Sequence, residues 1–117
     1  MKKKVFCFDL DNVICRSHHN FYKKSKPLKK TISFINRIYN NGHTVKIFTA
    51  RGMTTYKENI SVVKKKYKNF TIKQLKKWGV KYHKLYLGKP AYDYFVDDKA
   101  YNVNSEWKSL FIKELKK

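Results

Sequence analysis

Only eight residues of this chain are Asp or Glu, against 28 Lys and Arg, yet four of the eight form two close pairs. Asp9 and Asp11 follow the apolar run Val5-Phe6-Cys7-Phe8, and Asp97 and Asp98 follow Tyr94-Phe95-Val96. Each run reads as a short buried strand, so each pair is expected where a strand leaves the core. Carboxylates gathered at such a point repel one another and lose solvation unless a cation or a proton holds them together. A divalent metal meets that need, and hard carboxylate oxygens point to magnesium. Asp9, Asp11, Asp97 and Asp98 are therefore the expected metal-binding residues.

The elements that must position these acids alternate along the chain. Residues 4–8 read as a first strand. A polar, irregular stretch follows to Pro27, a residue suited to the first turn of a helix. Leu28, Ile32, Ile35, Ile38 and Tyr39 recur at helical spacing, which predicts an amphipathic helix over 28–40, stopped at Asn41-Gly42. Thr44–Phe48 is an apolar, β-branched strand that runs into Thr49-Ala50-Arg51-Gly52. A helix is expected from about Thr55 to Lys66, a break near Asn69, and a further helix marked by Ile72, Leu75 and Trp78 and closed by Gly79. Lys84–Leu87 and Tyr92–Val96 read as the third and fourth strands. Asn104 or Ser105 is expected to cap a last helix that buries Trp107, Leu110, Phe111 and Leu115. Such alternation implies parallel βαβ units, with ligands at the carboxyl ends of the strands. The four acids, Thr49 and Lys89 all fall at or just past such ends.

Composition narrows the class. At 117 residues the chain, 1–117, is expected to be one domain. A hydrophobic content of 42% and an aromatic content of 16% exclude a disordered chain. No apolar stretch approaches the roughly 20 residues that span a bilayer, and the run after the basic N-terminus breaks too early for a signal peptide. Cys7 and Cys15 lack CxxC spacing and read as reduced thiols, consistent with a cytoplasmic location. No zinc-ligand spacing joins them to His18, His19, His43 or His83.

The net charge of +20 invites a nucleic-acid partner. Only Arg16, Arg37 and Arg51 are arginines, however, and a lysine-, asparagine- and isoleucine-rich composition is also what an AT-rich genome produces. Nucleic-acid readers favour arginine for bidentate contacts. Nucleic acid is therefore kept as a possible partner and not the favoured one.

Taken in order, Asp9-Leu10-Asp11, Thr49, Lys89 and Asp97-Asp98 resemble the four-motif signature of the haloacid dehalogenase-like (HAD) superfamily. The stretches Thr49-Ala50-Arg51-Gly52-Met53, Gly88-Lys89-Pro90 and Val96-Asp97-Asp98-Lys99-Ala100 are similar to small phosphatase-like proteins from bacterial capsular-polysaccharide clusters. The resemblance implies a Rossmann-like, three-layer α/β sandwich with a mostly parallel sheet. It also implies roles. Asp9 would be the nucleophile that forms an aspartyl-phosphate. Asp11 would protonate the leaving group and then activate water. Magnesium would be held by Asp9, the carbonyl of Asp11 and Asp97, with Asp98 supporting or sharing that shell. Thr49 would hydrogen-bond a phosphoryl oxygen, and Lys89 would offset its charge. Ala50 and Arg51 would complete the substrate-binding set, although Arg51 reads equally as a phosphate clamp or a helix cap.

Two positions depart from the pattern. Asn12 stands where Gly is usual and Val13 where Thr is common, and Asn tolerates unusual backbone angles better than most residues. About 15 residues separate the first motif from the helix at 28, which is room for a flap and not for a cap domain. A capless site is open, suited to a large substrate or to a lid borrowed from a second subunit in a homo-oligomer. The expected activity is magnesium-dependent hydrolysis of a phosphomonoester, with a small phosphorylated sugar or polysaccharide precursor as substrate. The alternatives are a nucleic-acid end phosphatase and a non-catalytic binding protein on the same fold.

Overall fold

The structure is a computed structural model and describes residues 2–115. Its central sheet is parallel, with strands β1 (Val5–Asp9), β4 (Thr44–Thr49) and β5 (Lys84–Leu87) in the order β1-β4-β5. Asp9 pairs with Phe48, and Thr49 with Leu87, so the carboxyl ends of the three strands lie level. A two-stranded antiparallel pair, β2 (Cys15–Arg16) and β3 (Lys26–Pro27), closes a small flap with a single 3-10 turn at its tip.

Three helices complete the fold: α1 (Lys29–Asn40), α2 (Ile60–Lys77) and α3 (Trp107–Leu115). Stepping from β1 to β4 to β5 in one direction with right-handed crossovers places α1 and α2 on the same face of the sheet. Phe6, Phe8, Val45 and Ile47 line that face and pack with Ile35 and Ile38 of α1, Leu75 of α2 and Trp107 of α3. Cys7, Lys46, Phe48 and Tyr86 alternate onto the opposite face, where Phe48 and Tyr86 meet edge to face. The described residues thus form a mixed α/β layer pair, and a third layer does not form over that second face. The described helices include none long and apolar enough to cross a membrane.

β1, α1, β4 and β5 match the sequence expectation closely. Elsewhere the structure corrects it. Residues 51–58 form consecutive turns and not a helix, with Lys57 and Glu58 both at positive φ. The helix begins at Ile60 behind Asn59, whose side chain accepts the Val62 N–H, and continues through Asn69 without a break. Asn69 is exposed, and no Gly or Pro lies between Ile60 and Lys77, so nothing forces the helix to end there. Pro27 pairs with Cys15 in the flap instead of opening α1. Neither Asn104 nor Ser105 caps α3, because both bond back to Asn102 in a turn. Leu110 is exposed, while Trp107 and Leu115 are buried.

The largest correction concerns Tyr92–Val96. These residues form no strand, and every residue from 90 to 106 is exposed. An apolar run becomes a strand only if an edge is available to it. In one chain this run finds none.

Gly52 is the backbone position on which the turn after β4 depends. Its φ is +76°, and a Cβ there would run into the ring of Tyr67. Gly52→Ala is expected to cost about 3 kcal/mol through combined strain and clash. Urea unfolding measures this, and a cost below about 1 kcal/mol would show that the turn is soft.

Candidate active site

Strand β1 delivers Asp9 to the sheet's carboxyl edge, half turned from the core, with its side chain 37% exposed. Its Oδ1 accepts the Leu10 N–H at 2.8 Å, and its Oδ2 meets Lys89 Nζ at 3.0 Å. Lys89 reaches it from the end of β5, where the Lys89 N–H extends the ladder to the Thr49 carbonyl at 3.1 Å. Burial alone would lower the Lys89 pKa, but its contacts with Tyr92 and Asp9 outweigh burial and raise it. Lys89 therefore stays cationic beside Asp9 throughout the neutral range.

Asp11 is held quite differently. Its carboxylate takes a forked pair of bonds from Arg51, Nε to Oδ2 at 3.0 Å and NH2 to Oδ1 at 2.9 Å. Ser17 Oγ donates to the same Oδ1 at 2.6 Å. The Arg51 side chain is fully buried, its NH1 donating to Gln74 Oε1 at 2.6 Å and to Thr71 Oγ1 at 3.3 Å. Tyr22 stacks under the guanidinium at 4.8 Å. All its donors face protein atoms, so Arg51 is neither a phosphate clamp nor a helix cap in this structure. It positions Asp11. Tying flap, β1 loop and α2 together at one point explains why so buried a cation is tolerated.

Asn12 adopts φ +64°, the conformation for which Gly is usual, and its side chain accepts the Ser17 N–H. The loop therefore turns as the sequence suggested. Thr49 is buried with its Oγ1 accepting the Arg51 N–H at 3.2 Å, one strand over from Asp9. A cleft of about 240 Å³ opens here, lined by Asp9, Asp11, Asn12, Ser17, His19, Tyr22, Ala50 and Arg51. A larger cleft of about 540 Å³ lies along α1 and the end of α2, with no acid or His in its lining.

Asp97 and Asp98 do not join this group. They lie in the exposed 90–106 segment, where Asp97 Oδ1 accepts the Lys99 N–H at 2.9 Å, a bond that holds the Asp97 pKa below its ordinary value. Among the described residues no three His, Cys, Asp or Glu are placed to hold a metal together. A magnesium site built from Asp9, Asp11, Asp97 and Asp98 of one chain thus does not fit this arrangement. The physical reason is the missing fourth strand, which was to carry the second pair to the sheet's edge.

Ser17, Tyr22 and Gln74 belong to the site and carried no signal in the sequence, while His19, which reads from sequence as a solvated loop residue beside His18 with the site mouth as the alternative, lines the cleft. The first three are common residue types whose partners lie far away along the chain. His43 and His83 are structural, and His18 is exposed in the flap. His43 Nδ1 accepts the Lys4 N–H and His83 Nδ1 accepts the Val45 N–H, each satisfying backbone at the opposite end of the sheet. Burial raises the pKa of both Cys7 and Cys15, which leaves no reactive thiolate near neutrality.

No family model and no curated protein matches the chain. The fold is similar to the crystal structure of an MCSG target from Vibrio cholerae, with 25% identity and a TM-score of 0.84. That likeness covers 98% of this chain and 94% of the other, so the matched span takes in most of the 90–106 segment.

Proposed function

We propose that the chain is a phosphomonoester hydrolase of the HAD type, with Asp9 as the nucleophile. One observation carries the reading. A half-exposed carboxylate at the end of β1 lies against a lysine from the end of β5, beside an open cleft, while the second carboxylate two residues on is fixed by arginine. A carboxylate that attacks phosphorus needs a cation to offset charge on itself and on the phosphoryl group, and Lys89 stands where it can do both. Asp11, held on its Arg51 fork with Ser17, faces the same cleft from the leaving-group side. Thr49 and Ala50 complete the cradle at the end of β4. Completion of the sheet to a HAD-like, Rossmann-type sandwich belongs to the same proposal, as does a cytoplasmic setting.

The open cleft has no covering domain in the described residues, which suits the projecting phosphate of a sugar phosphate or polysaccharide precursor. One observation favours a second substrate class. Lys64, Lys65, Lys66, Lys68, Lys73, Lys76 and Lys77 are all exposed along α2, a cationic surface of the kind that attracts phosphate backbones. A panel of sugar phosphates, nucleotides and end-phosphorylated oligonucleotides, assayed with magnesium and with chelator, decides between them. Sugar phosphates are expected to turn over fastest, with oligonucleotide turnover fading by about 0.2 M salt as diffuse charge is screened. Oligonucleotide turnover that survives that salt would reverse the ranking. Release of no phosphate from any substrate would remove the hydrolase reading.

A further inference from the structure

Three features of one chain are each incomplete, and they complement one another. The outer edge of β1 carries no paired strand among the described residues, an edge that parallel sheets ordinarily cover. The exposed segment holds Tyr94 and Val96 at 91% and 96% exposure, the most exposed large apolar side chains among the described residues. It also holds Asp93, Asp97, Asp98 and Glu106, half of all the acids, against a single lysine, Lys99.

We infer that two copies of this chain exchange the 90–106 arm, each laying Asp93–Asp97 as a fourth parallel strand along the other's β1. The register that brings the two acidic ends level sets Asp97 beside Asp9, Val96 beside Phe8, Phe95 beside Cys7 and Tyr94 beside Phe6. Because neighbours in a sheet share a face, Tyr94 and Val96 then turn toward the helix-covered side that Phe6 and Phe8 already line. The two most exposed apolar side chains become buried.

The arm cannot do this in its own chain. Lys89 bonds to Thr49 on the far side of β4, so β1's outer edge is three strand spacings away, about 14 Å. By register Val5 lies level with Tyr82, seven residues behind Lys89, so the start of the strand is a further ~23 Å back, which makes about 27 Å in all. Four residue steps from Lys89 to Asp93 reach only about 14 Å, and parallel neighbours need a crossover of roughly a dozen residues. A second copy has no such tether. Exchange of one element between identical protomers closes as a two-fold dimer, and each arm is used once.

Charge favours the same occupant. The rest of the chain is strongly positive, so two copies repel through every surface except the acidic arm. The exchange also resolves the stranded acids, since each Asp97 and Asp98 comes to the Asp9 of the other copy. This part rests on the hydrolase reading, because it makes the proposed site a shared one.

The test separates the two. Cys7 is exposed on β1 and Cys15 is buried, so Phe95→Cys supplies one new thiol opposite the only accessible old one. Mild oxidation is expected to give a disulfide-linked dimer of twice 14.1 kDa on a non-reducing gel. A bridge within one chain, or no bridge, overturns the exchange. Val96→Asp changes a side chain that is nearly free in one chain. It is expected to weaken the dimer at least tenfold by sedimentation while leaving the circular dichroism unchanged; unaltered association counts against the exchange. Where the parent turns over substrate, Asp9→Asn and Asp97→Ala are each expected to be inactive. Mixed and re-equilibrated, they are expected to recover about one quarter of parental activity, since half the dimers carry one intact site. A dead mixture overturns site sharing. A linked dimer whose parent releases no phosphate upholds the exchange and removes the hydrolase reading instead.

Discussion

Asp9→Asn is expected to lower phosphatase turnover by at least about 10³-fold while leaving the fold in place. The amide has no charge with which to attack phosphorus, and it cannot form the acyl-phosphate that splits the reaction into two steps. The fold should hold because Asp9 sits at the rim. Its Oδ1 takes only the adjacent Leu10 N–H, a bond an amide oxygen keeps, and its partner Lys89 can turn to solvent. The ion pair is more than a third exposed on the Asp9 side, so its loss is worth little in stability. Initial rates on the best substrate of the panel, paired with thermal melts, measure both effects. Activity near that of the parent would remove Asp9 as the nucleophile. Equal loss of activity and fold would show that the pair with Lys89 is structural.

How far the sequence alone could lead depends on the distance over which each feature is decided. β1, α1, β4 and β5 are written in local periodicity: Phe6 and Phe8 alternate, and Ile32, Ile35 and Ile38 recur at helical spacing. The level carboxyl ends, with Asp9 and Lys89 in contact across 80 positions, follow from ordinary βαβ winding, so this pair was legible. Tyr92–Val96 has the same local pattern as β1, yet a strand also needs an edge within reach. The chain between Lys89 and Asp93 is too short to reach one. The break expected near Asn69 does not form, because asparagine on an exposed helix face costs only a fraction of a kcal/mol. Within the site, Asn12 was legible because only a few residue types tolerate its φ. The Asp11–Arg51–Gln74 chain was not, since Arg51 meets Asp11 across 40 positions and Gln74 across 23, and no local rule links them.

That chain supports the second large effect. Arg51→Ala is expected to destabilise the protein by about 3 kcal/mol, near the lower end for removing one partner of a buried pair because Asp11 keeps some solvent contact. The loss has several sources. Asp11 is left with Ser17 and the weak Cys15 thiol donor, and Gln74 Oε1 and Thr71 Oγ1 each lose a donor. Tyr22 loses the cation above its ring, and with it one tie between flap and α2. Arg51→Lys is expected to recover only part of this, since a point charge cannot form the fork to Asp11 and reach Gln74 together. Asp11→Asn sharpens the comparison, because it keeps the side chain's shape but leaves a buried guanidinium short of its counter-charge. If Arg51 instead served mainly to hold substrate phosphate, Arg51→Ala would raise KM and leave the melting temperature unchanged. The buried, fully bonded guanidinium leads to the opposite outcome: a melting temperature lower by about 10 °C, with turnover lost because Asp11 is no longer held in place.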